Sequence, residues 1–73
     1  MTDKNELRAE MARYGDRQED LAAAMGISAV TLSAKINGDR DFTQGEIALI
    51  AMRYSLTAEG IVRIFLPSLS NKT

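Results

Sequence analysis

The three residues Gly26-Ile27-Ser28 constrain this chain more than any others. A short segment with helical apolar spacing runs on either side: Leu21, Ala22 and Met25 before, Leu32 and Ile36 after. Glycine commonly ends a helix in the left-handed conformation, and serine accepts hydrogen bonds from the free N–H groups that open the next. A stop and a start this close leave no room for a loop, so the chain must reverse sharply. Ile27 fills the space under the turn, and Leu32 pins the second segment from below. Ala22 lies where the two helices should cross, because a larger side chain would push them apart. The expected product is a pair of short helices at roughly 90–120°.

The same reasoning extends along all 73 residues. A first helix is expected from about Asp3 to Tyr14, with Leu7, Met11 and Tyr14 on its inner face and Gly15 as its stop. Asp16, with Glu19 three residues on, fits a capping box for the second helix. The third helix runs to about Asn37, and no alternating strands flank Asn37-Gly38-Asp39, so these residues suit a helix stop and loop better than a hairpin. Thr43 with Glu46 forms another capping box, opening a fourth helix through Ile47, Ile50, Ala51 and Tyr54. Thr57 caps a fifth, with Ile61, Ile64 and Phe65 apolar, and Pro67 is expected to terminate it. This is an all-α, compact five-helix domain over residues 1–66 with a tail at 67–73. Its connections are short, so successive helices must pack at steep angles. Each helix is too short to be stable alone; shared burial holds them.

Composition narrows the function classes. No cysteine and no histidine occur, which removes thiolate metal sites, disulfides, the thiol nucleophile and the commonest proton shuttle. The ten carboxylates follow no calcium-loop or di-metal spacing, and no Gly-rich phosphate cradle is present. No enzyme activity, metal, cofactor or small-molecule ligand is therefore expected. No apolar run approaches the roughly 18–20 residues of a membrane span, and MTDKNELR is no signal peptide, so a cytoplasmic location in a bacterial host is expected. The net charge of −1 is low for a nucleic-acid-binding domain, which makes the placement of individual charges decisive.

The stretch QEDLAAAMGISAVTLSAKIN, Gln18 to Asn37, resembles the Cro/C1-type (XRE) helix-turn-helix family. GDRQEDLAAAMGIS is similar to that family's polar turn, its Gln-Glu-acidic-Leu-Ala and its Gly-apolar-Ser. TLSAKINGDRDFT is similar to its Thr-Leu-Ser, Ile-Asn-Gly and Phe-Thr ending. The likeness runs over about residues 4 to 66 without gaps. It implies a lambda-repressor-like fold with the helix-turn-helix at helices two and three. It also implies sequence-specific binding of double-stranded DNA by a small phage or bacterial transcriptional regulator, a repressor or Cro-like protein.

The resemblance implies that bases are read at the start of the third helix, by Ala29, Val30, Thr31, Ser33 and Ala34. Thr31 or Ser33 can hydrogen-bond to base edges, while Ala29 and Val30 can touch thymine methyls. Gln18 is implied as a phosphate contact, supported by the positive end of the second helix, with Arg17 adding a full charge. Ser28, Lys35, Asn37, Arg40, Thr43 and Gln44 complete the expected phosphate set. The chain departs from the family at Ala29, where Gln or Arg is frequent, and Ala34 is also apolar. No bidentate reader of guanine or adenine stands at either position. A rival reading is therefore a protein-interaction module of the same fold with weak or no DNA binding, antitoxin-like or a phage accessory protein. Met1 and an end just past the last helix leave no span for a ligand sensor, so regulation by abundance, dimerisation or a partner is expected. A homodimer is expected to meet through Ile61, Phe65, Leu66 and Leu69, spacing its reading helices by roughly 34–36 Å on a palindromic operator.

Overall fold

The computed structural model describes residues 2–70, and the side chains of Leu69 and Ser70 lie outside the described residues. Helices α1 (Lys4–Arg13), α2 (Gln18–Met25), α3 (Ala29–Ile36), α4 (Gln44–Arg53) and α5 (Ala58–Phe65) are followed by a single turn, α6 (Pro67–Ser70). Among the described residues there is no strand, and no helix is long and apolar enough to cross a membrane.

Local chemistry sets the boundaries. The Asp3 carboxylate accepts from the Asn5 and Glu6 amides and opens α1. Ser28, Thr43 and Thr57 do the same for α3, α4 and α5, each through the amide three residues on. The expected cap of α2 is displaced by one residue. Arg17 occupies the cap position, and Asp20, rather than Glu19, accepts the Arg17 N–H at 2.8 Å. Asp16 is held elsewhere, by a contact described below.

Helices α1 to α4 end alike, with a left-handed residue followed by an amide that reaches back five positions. At Gly26 (φ 73°) the Ile27 N–H donates to the Ala22 carbonyl at 3.1 Å. At the end of α4 the left-handed residue is Ser55 (φ 51°), the only non-glycine with positive φ among the described residues. Its neighbour Leu56 still donates to Ala51 at 2.9 Å. Pro67 does not simply stop α5. It forces Leu66 out of helical geometry and opens α6 from the first-turn position that proline favours.

The core is Leu7 and Met11 of α1, Leu21 and Ala22 of α2, Leu32 and Ile36 of α3, Ile50 and Tyr54 at α4, and Ile64 and Phe65 of α5. Met25, Ile27, Phe42, Ile47, Leu56 and Ile61 pack around it. The Asp3 amide donates to the Ile64 carbonyl, tying the N-terminus to α5. Tyr14, expected inside, is half exposed and leans on Tyr54 at 5.3 Å between rings.

Asp16 joins the α1–α2 turn to the end of α4. Arg53 donates Nε and Nη2 to its two oxygens at 2.6 and 2.9 Å, and the buried Tyr54 hydroxyl donates at 2.7 Å. The Arg53 guanidinium is the main cause that holds the Asp16 carboxyl below its ordinary value of 3.8, against the opposing effect of burial. Burial, then the Asp16 charge, pushes the Tyr54 hydroxyl up. A carboxylate with a depressed native pKa adds stability above its ordinary range and loses it in acid. Asp16→Asn is therefore expected to cost about 1–2 kcal/mol at pH 7 in urea unfolding, with the difference from wild type shrinking as pH falls below 3.8. Ser55→Gly is expected to raise stability by about 0.5 kcal/mol in the same assay, because it removes left-handed strain at some cost in unfolded-chain entropy.

Candidate nucleic-acid interface

Helices α2 and α3 cross with Ala22 and Leu32 buried between the helices and the rest of the core. The Gln18 side-chain amide donates to the Ala29 carbonyl at 3.3 Å, bridging the two helix starts. Gln18 thus has a structural task that sequence alone did not suggest. It stays at the surface beside the first-turn amides of α2, where a phosphate would sit.

At 3.6 residues per turn, Ser33, Asn37, Val30 and Ala34 fall in one sector of α3, turned away from Leu32 and Lys35, with Ala29 at the edge nearest Ile36. Ala29, Val30 and Asn37 are exposed, while Ser33 and Ala34 are half-buried. Thr31 lies round the helix from this sector, and its hydroxyl accepts a hydrogen bond from the Ser28 hydroxyl at 3.0 Å. The two hydroxyls expected to read bases, Ser33 and Thr31, stand at opposite edges of the outward face, and both are half-buried. Ser28 is a helix cap before it is anything else.

Lys35 does not belong to the outer face. Expected on the outer face as a phosphate neutraliser, it is instead buried. Its ammonium donates to the Asp41 carbonyl and to Glu46 Oε1, both at 2.9 Å, and stands 6.0 Å from the Phe42 ring centre. The lysine lies beside the Leu32–Ile36 stripe, so folding carries it inward, and the charge persists there because a carboxylate from α4 meets it. Burial alone would raise the Glu46 carboxyl; the Thr43 amide and the Lys35 ammonium outweigh it and hold the group below its ordinary value. The cap of α4 and the anchor of α3 are one carboxylate.

With Lys35 withdrawn, Arg17 and Arg40 are the exposed cations at this surface. Arg17 pairs with Glu19 and Asp20 at 3.4 Å each, and Asp39 and Asp41 flank Arg40. Thr43, Gln44 and Gly45 are exposed at the start of α4, which supplies a second set of amides for an anion. Gly45 was absent from the sequence-based set, although the capping box at Thr43 marks where that helix starts.

The surface expected for dimerisation also changes. Phe65 is buried and meets Phe42 edge-on at 5.3 Å, so it cannot serve a partner. Ile61 packs on the core; Leu66 is about half exposed, and the side chain of Leu69 lies outside the described residues.

Two short helices set by a left-handed glycine turn, the second with an open face and helix starts on either side, define a helix-turn-helix domain. A helix-turn-helix family model matches residues 7–61, well over half of the chain. The chain belongs to that family, the helix-turn-helix domains of Cro/C1 type. No curated protein and no solved structure matches it.

Glu46→Ala removes half of the capping box and leaves the Lys35 ammonium buried without its carboxylate. The expected loss in chemical unfolding is about 2–4 kcal/mol. Replacing both partners, as Lys35→Met with Glu46→Gln, should cost distinctly less, because no buried charge is left unpaired.

Proposed function

We propose that this protein binds double-stranded DNA in a sequence-dependent manner as a small transcriptional regulator of the repressor or Cro kind, with α3 lying in the major groove. The observation that carries this reading is the outward face of α3, braced from behind by α2 and flanked by the starts of α2 and α4. Phosphates on one side are met by Arg17, Gln18 and the α2 amides, and on the other by Arg40, Asn37, Thr43, Gln44 and the α4 amides. Ser33 and its apolar neighbours face the bases. A bacterial cytoplasm suits this role. Two copies related by a two-fold axis place two such helices on a palindrome, and Leu66, just past α5, is about half exposed and open to a partner. No catalytic group or cofactor is needed for any of this.

The poverty of exposed cations favours one competing reading, a protein-interaction domain whose DNA face has lost its affinity. A titration of labelled random duplex at low salt, followed by fluorescence anisotropy, separates the two. Binding that weakens with salt supports the regulator, and negligible binding at the lowest salt sinks it. With Arg17 and Arg40 neutralising one phosphate each in both subunits, the slope of log K against log salt should be about −3 to −4. Gln18→Ala and Arg40→Ala should weaken binding to all sequences alike, and Ser33→Ala should change which sequence is preferred.

A further inference from the structure

Val30 is 81% exposed and contributes nothing to the core, because it lies across α3 from the buried Leu32 and Ile36 stripe. Ala29 beside it is exposed as well, and Ala34 completes an apolar edge along the outward face of α3. Ser33 and Asn37 are the polar members of that face, and Asn37 stands at its far end as the cap of the helix. Of the groups that could have offered stronger polar contacts, Lys35 is buried on Asp41 and Glu46, while Thr31 accepts from Ser28 and Gln18 donates to Ala29.

An apolar face has definite consequences in a major groove. Guanine presents two acceptors there and adenine an acceptor and a donor; alanine and valine can answer neither, so pressing them on a purine edge leaves polar atoms dry and unpaired. Thymine alone presents an apolar group, its C5-methyl. We propose that α3 selects its site through thymine methyl groups, with Val30 as the principal specificity-determining residue and Ala29 and Ala34 beside it. This rests on the DNA-binding reading above, and it replaces hydrogen-bond readout by shape and dehydration at the start of the helix.

The test uses the full chain. Preferred duplexes are selected from a random pool at low salt, and the best is resynthesised with deoxyuridine for thymine in the half-sites, which removes the methyl and keeps the pairing. Each methyl lost from Val30 or the alanines should weaken binding about fourfold, the equivalent of one methyl group returned to water. Two or three per half-site therefore give a tenfold loss or more. Val30→Ala should bind the thymine duplex several-fold more weakly and show a clearly smaller difference between the thymine and deoxyuridine duplexes. This substitution removes no core contact and places a good helix former in α3, so the variant folds. Equal binding of both duplexes by the wild type overturns the methyl proposal while DNA binding stands. A deoxyuridine loss that is undiminished in Val30→Ala overturns the role of Val30. Failure to bind any duplex in the pool overturns the underlying DNA-binding reading, and the methyl proposal with it.

Discussion

The crossing of α2 over α3 is the contact on which the outer surface depends. Ala22 is small enough to let the two helices approach, Leu21 and Leu32 fill the space around it, and all three are almost wholly shielded from water. The reversal at Gly26 needs a left-handed residue, and the Ile27 amide closes it onto the Ala22 carbonyl. Because the turn is so short, the direction of α3 follows from that of α2. The side chains that α3 turns outward are then determined by helical geometry. Burial behind the helix and exposure in front are two consequences of one packing arrangement.

Two ion pairs between distant parts of the chain complete the frame. Asp16 with Arg53 joins the first turn to the end of α4, and Lys35 with Glu46 joins α3 to the start of α4. Each carboxylate is largely enclosed and each serves more than its cation: Asp16 also receives the Tyr54 hydroxyl, and Glu46 also receives the Thr43 amide. Shared acceptors of this kind fix orientation, because moving one partner disturbs two contacts. They also withdraw the buried Lys35 from any outside partner. The consequence for DNA binding is direct. The cations of a nearly neutral chain are partly spent on holding the scaffold, and the DNA interface proposed above leans on helix amides, on Arg17 and Arg40, and on apolar contact.

Much of this was legible in the sequence because it is local. The caps at Ser28, Thr43 and Thr57 and the stops at Gly15 and Gly26 are encoded within a few residues, and the structure has each where the spacing implies. The apolar stripes of α3 and α4 follow from helical periodicity in the same way. The misplacement at α2 has a physical cause: Asp16 and Asp20 both suit a helix start, and a guanidinium 37 positions away decides between them. Tyr14 has the right spacing for the inner face of α1, yet it lies past the end of the helix and slides out against Tyr54.

The sequence by itself determined the number of main helices, their capping, the sharp turn at Gly26-Ile27-Ser28 and the apolar character of the face that starts at Ala29, since each depends on neighbours within about two turns of helix. Only the tertiary structure decided that Lys35 turns inward, that Phe65 is covered by Phe42, and that Asp16 serves Arg53 instead of capping α2. These outcomes depend on which surfaces meet. A charged or apolar side chain on the shoulder of a helix carries no mark of its fate until another helix brings it a partner or leaves it in water.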